Sequence, residues 1–178
     1  MKKFSLALLA IATALAISTV ASAQPNYDFT YTSNDNSVVA SGVLYAVATA
    51  TPGVLLATSG NIIVTDTYNS LTSTGTLISN PNAPGTSCSP TGYFFYDDLL
   101  MPSQNPLITN AGLLFSNSIE INLFSNGPGP GTYQIYGNNG ANDKGNFALT
   151  QVPDGGTTLA LLGLAIAGLA GLRRKLGV

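Results

Sequence analysis

The 178-residue chain carries six Lys and Arg against eight Asp and Glu, a formal net charge of −2, with one cysteine, no histidine and no tryptophan. Without histidine there is no Ser-His-Asp or Cys-His catalysis and no histidine-ligated zinc or copper. A lone cysteine, Cys88, allows neither an internal disulfide nor a thiolate cluster; it can stay free or pair with another chain.

The chain opens with Lys2 and Lys3, an apolar run from Phe4 to Ile17, and Ala21-Ser22-Ala23. A basic start, an apolar core and small residues at 21 and 23 form a secretory signal peptide, cleaved by signal peptidase before Gln24. No paired arginines precede the core, which points to the general secretion route. Residues 1–23 are therefore excluded from the fold.

The remaining body, residues 24–151, has the length of a single domain. Its charges are Asp28, Asp35, Asp66, Asp97, Asp98, Glu120 and Asp143 against Lys144, a net −6. Such a surface cannot neutralise phosphates, which argues against nucleic acid and against anionic polysaccharide held by charge. Neutral sugars or a divalent cation stay open as ligands.

Tyr27, Phe29 and Tyr31 alternate with polar residues, the period of a half-buried strand. A Val- and Ala-rich strand follows over residues 38–50, with Gly42 as a bulge or bend. Strands are expected at 54–58, at 61–68 with Ile62, Val64, Asp66 and Tyr68 on one face, and at 71–78. Residues 80–91, with Pro81, Pro84, Gly85 and Pro90, read as a long irregular loop. An aromatic strand at 93–101 holds Asp97-Asp98 at its middle. Strands at 107–115, 119–124, 132–136 and 147–152 follow, the 119–124 segment placing Ile119, Ile121 and Leu123 on one face. Eight to ten short strands and no helical period in the body predict an all-β domain, an antiparallel β-sandwich or barrel.

Candidate chemistry in the body is confined to carboxylates. Asp97 and Asp98 are neighbours on a strand, so they point to opposite faces and cannot flank one glycosidic bond. The expectation is one solvated and one bonding a turn. Glu120 faces away from the Ile119–Leu123 stripe, as a surface residue would. The Asn- and Gly-rich run at 138–146 has oxygen ligands of the kind calcium takes, but one carboxylate, an adjacent Lys144 and no terminal Glu favour a plain hairpin turn. The Gly127–Gly131 run lacks the strand-to-helix setting of a phosphate loop. No metal ligand set or cofactor site is assigned. The tyrosines could stack on sugar rings, though core packing is their commoner use.

The tail is the most specific part of the chain. Val152-Pro153-Asp154-Gly155-Gly156 precedes a run of Leu, Ala, Ile and Gly at 159–172, and Arg173-Arg174-Lys175 ends it. With Gly155 to Thr158 and snorkelling basic side chains, the run approaches the ~20 residues that span a bilayer. The basic cluster stays cytoplasmic, which places the body outside. Gly163, Ala167 and Gly171 share one helix face, a stripe that packs against other helices but arises easily by chance in such a composition. On residue physics alone, an uncleaved membrane anchor and a processed one are both open. The three-part tail resembles the PEP-CTERM sorting signal of exosortase substrates. Val152 and Pro153 match its usual Val-Pro-Glu-Pro, Asp154 stands for Glu, and Gly155-Gly156 replaces the second Pro, as in the VPD variant. The resemblance covers the domain at 152–178 and implies a membrane-embedded exosortase-type processing enzyme in Gram-negative bacteria that make exopolysaccharide. The block Asp97-Asp98-Leu99-Leu100 with Ala111-Gly112-Leu113-Leu114-Phe115 is also similar to a pattern in the bodies of such proteins.

These readings together predict an exported, tail-anchored surface or extracellular-matrix protein, not an enzyme, in an exopolysaccharide setting. The alternatives are a neutral-glycan-binding or calcium-assisted adhesin module and a carboxylate-only glycosidase.

Overall fold

The computed structural model describes residues 24–137 and 142–153, together with Gly163 and Ile166, which are helical and exposed. Among the described residues no helix is long and apolar enough to cross a membrane. The predicted signal peptide with Ala21 and Ala23, residues 138–141 of the turn predicted at 138–146, Asp154, Gly155, Gly156, most of the predicted transmembrane helix and the Arg173, Arg174, Lys175 cluster lie outside the described residues.

The body is all-β. Its strands are β1 (Asn26–Ser33), β2 (Val38–Ala48), β3 (Leu55–Asp66), β4 (Leu71–Leu77), β5 (Ser87–Cys88), β6 (Phe95–Tyr96), β7 (Leu99–Leu100), β8 (Leu113–Ser116), β9 (Glu120–Ser125), β10 (Tyr133–Gly137) and β11 (Asn142–Val152). Eight of them form a closed antiparallel barrel in the order β1-β2-β3-β4-β8-β9-β10-β11, because β1 pairs with β11 and β2 with β3. Of the two predicted architectures the chain adopts the barrel. Closure pairs the edge that a single sheet would leave open.

Alternation explains the interior. Tyr27, Phe29, Tyr31 and Ser33 of β1 are buried, with Asp28 and Thr30 outside. Their neighbours in the core include Leu44, Ile62, Phe115, Leu123 and Phe147. Phe29 sits at the centre, its ring 5.9 Å from Phe115 and 5.8 Å from Phe147. Side chains thus fill most of the lumen, as an eight-stranded barrel allows. Polar residues such as Asp28, Thr30, Ser41, Asn61 and Thr65 face outward. Val39, Tyr45 and Val47 of β2 and Ile63 of β3 are exposed on the same outer surface.

Several predicted elements shift. The segments at 54–58 and 61–68 join into the single β3, and Tyr68 is 87% exposed rather than on the core face. Gly42 is not a bulge. It faces the lumen, where a Cβ would sit 1.9 Å from Asn61 O and 2.7 Å from the Phe29 ring. The register shift lies further along β2, between Tyr45 and Ala46, and leaves Thr58 of β3 unpaired. The aromatic strand predicted at 93–101 breaks into β6 and β7, with Asp98 at φ 57 between them.

The irregular segment 80–91 and the β5–β6 hairpin fold over the outside of the barrel. Phe94 and Tyr96 pack on Leu114, with Ile78 and Tyr136 beside them. That second layer buries the outer face of β8 and β9, so Leu113, Leu114 and Phe115 are all fully buried. At one end of the barrel lie the turns at 34–37, 67–70 and 117–119, with Gly137 and Asn142. Asn26, Val152 and the 49–54 turn lie at the other.

Gly42→Ala forces Phe29 and the β3 backbone apart and should cost about 3 kcal/mol. The neighbouring outward change Ser41→Ala should stay within about 0.5 kcal/mol. Urea melts of the two variants check this pair.

Candidate functional site

The adjacent carboxylates are both buried, which corrects the expectation of a solvated one: Asp97 is 6% exposed and Asp98 0%. They belong to one clasp. The amides of both donate to Gly112 O, at 3.1 Å and 3.0 Å. Asp97 accepts from Thr109 Oγ1 at 2.7 Å and from Leu99 N at 3.1 Å, and Thr109 Oγ1 accepts from Gly112 N at 2.9 Å. Asp98 Oδ1 accepts from Leu114 N at 3.3 Å, while its Oδ2 has no partner among the described residues. Gly112 holds φ 75, and a Cβ there would lie 2.3 Å from Leu123 O. The clasp therefore links the two halves of the block singled out in the sequence, Asp97-Asp98-Leu99-Leu100 and Ala111-Gly112-Leu113-Leu114-Phe115. Burial pushes the Asp98 carboxyl up to about 8, against the Leu114 amide and with the Asp97 charge adding to the rise. Burial also raises Asp97, opposed by Thr109 and the Leu99 amide.

Glu120 is not a surface residue. It is 3% exposed beneath the 80–91 segment, accepting from Ser89 Oγ at 2.8 Å, from Thr91 N at 2.9 Å and from Thr91 Oγ1. Burial works against its charge, but the hydrogen bonds from Thr91 and Ser89 win, and its pKa is lowered. Alternation misplaced it because β9 is covered on both faces. Asn80 ties the same layer down, donating to Gly85 O at 2.5 Å and to Asp97 O at 3.1 Å.

Of the remaining carboxylates, Asp35, Asp66 and Asp143 gather at the end of the barrel with the 34–37 and 67–70 turns. Asp66 caps its turn by accepting from Asn69 N at 3.0 Å and Asn69 Nδ2 at 2.7 Å, bonds that lower its pKa. Asp35 is held down to about 2 by the Ser33 hydroxyl first and then by Ser37. Asp143 is raised, by burial and then by the charges of Asp35 and Asp66. Asp66 and Asp143 share the wall of a pocket of about 350 Å³ with Val38, Leu71, Ile119 and Ile135. Among the described residues no three His, Cys, Asp or Glu side chains are grouped to hold a metal ion. Cys88 is an exposed free thiol.

The sorting motif starts inside the barrel. Val152 is the last residue of β11 and pairs with Asn26, while Pro153 is exposed just beyond it. The chain after the signal peptide and the chain entering the tail thus leave the fold side by side.

Residues 151–176 match the VPDSG-CTERM motif, a PEP-CTERM-type exosortase sorting signal variant. The motif implies an exported protein processed at the membrane by an exosortase-type partner. The chain has no match among curated proteins and none among solved structures.

The clasp sets a pH dependence. Below the ordinary 3.8, folded and unfolded chains both hold the Asp98 proton; from there to about 8 only the folded chain does. Stability therefore falls as pH rises through that window, by up to about 1.4 kcal/mol per pH unit, and levels off above it. Glu120, lowered from 4.5, has the opposite sign and withdraws stability as the solution turns more acid. Thermal melts should show greatest stability in mildly acid solution, and Asp98→Asn should flatten the decline toward pH 8. Glu120→Ala strands the Ser89 and Thr91 donors and should cost roughly 1–3 kcal/mol. Faster amide exchange at 85–96 would locate that loss in the outer layer.

Proposed function

We propose that the chain is a precursor delivered to the membrane by both ends, whose barrel ends at the cell surface or in the extracellular matrix after exosortase processing. In this reading the barrel acts by interaction rather than by catalysis, in the exopolysaccharide setting of a Gram-negative envelope. The observation that carries it is the VPDSG-CTERM motif at 151–176, beginning within the last barrel strand.

Two features of the body support the reading. Asn26 pairs with Val152, so the residues to which the two membrane-directed segments attach are neighbours at one end of the barrel, which suits a single orientation for export, anchoring and processing. The end with the Asp66 and Asp143 pocket then points away from the bilayer. Asp97, Asp98 and Glu120 are engaged in holding the outer layer, which favours an interaction role over a carboxylate-only glycosidase.

The test is the intact mass of the protein from its native host, with and without the exosortase-type enzyme. Loss of everything beyond the 152–156 region, abolished when that enzyme is deleted, is the expected result. A full-length tail in both strains would refute processing and leave a plain membrane-anchored barrel.

A further inference from the structure

The β5–β6 hairpin covers Leu114 with Phe94 and Tyr96, yet its outward positions are also aromatic: Phe95 is 68% exposed and Tyr93 56%. Shielding the barrel does not require them. Tyr93 lies parallel to Tyr136 of β10, ring centres 5.9 Å apart and planes within 11°, with their hydroxyls 3.1 Å apart. Together they wall one side of a groove on the outer face of β9 and β10. The register sets Asn122, Tyr136 and Asn142 in one row across that face, and Phe124 with Gln134 in the next.

The groove is lined by aromatic rings and carboxamides, with no charged side chain among its lining residues. Lys144, opposite Gln134 in the register, is not one of them. The floor is polar and incompletely satisfied. Asn122 spends its amide nitrogen on Phe95 O and Ala111 O, both at 3.1 Å, while its Oδ1 is buried without a partner among the described residues. Gln134 bonds Asn126 and Asn142, and Asn110 at the other wall is exposed.

Flat rings suit the apolar faces of pyranoses, and amides can both donate to and accept from hydroxyls. None of the lining residues can form an ion pair with a uronate, a sulfated sugar or a phosphate, and Lys144 stands one strand beyond Gln134, outside the lining. The geometry points to an uncharged glycan chain as the ligand of this groove, its rings against Phe95, Tyr93 and Tyr136 and its hydroxyls on Asn110, Gln134 and Asn142. The biological setting rests on the surface-and-matrix reading above. Binding by the purified chain does not depend on processing, so either can fail without the other.

The experiment is calorimetric titration of the full chain, in a detergent without a sugar head group, with cello-, malto-, xylo- and manno-oligosaccharides and with an oligouronate of matched length. At least one neutral oligosaccharide should bind and the oligouronate should not. Phe95→Ala and Gln134→Ala should each weaken binding roughly tenfold with an unchanged melting temperature. Absence of binding by every neutral oligosaccharide at about 10 mM would overturn the inference. So would equal binding of the oligouronate, or an affinity that neither substitution changes.

Discussion

Two neighbouring carboxylates, Asp97 and Asp98, are taken out of water in this domain, and the architecture outside the barrel depends on them. Turning the chain at Asp98 ends β6 and starts β7. The shared acceptor Gly112 O then brings the 80–96 segment against β8. Once that segment is in place, the outward Leu114 is dry, Glu120 is enclosed and Asn122 becomes a floor instead of a surface. Desolvation of Asp98 is offset by keeping it protonated near neutrality, so the clasp holds without placing two full charges side by side.

The barrel proper follows a simpler rule. One face of β1 to β3 alternates toward water and the other joins a core that includes Phe29, and the lumen is filled by side chains from strands far apart in sequence. Gly42 and Gly60 thin the wall where the core ring and Leu44 need the space. The two layers thus have different origins: alternation builds the cylinder, and a polar clasp with an aromatic lid adds the cover.

This division explains what could be read from residues alone. β1 announces itself by alternation because it has a clear wet side. Glu120 misleads for the opposite reason, since a cover made 30 residues earlier removes the wet side of β9. Barrel and sandwich are indistinguishable locally, because closure rests on β1 meeting β11 across more than 100 residues. The sorting signal is linear and legible without any fold. The groove is not, because Tyr93, Asn122 and Tyr136 become neighbours only after the sheet closes and the hairpin lies down.

The pairing of Asn26 with Val152 has a topological consequence. The two ends of the mature barrel are cross-strand partners, so a short peptide could join them without disturbing the strands between. New ends could then open at the 67–70 turn, on the far side of the cylinder. Such a circularly permuted barrel would carry its ends on the opposite rim, leaving the Asn26 and Val152 rim closed by the new connection.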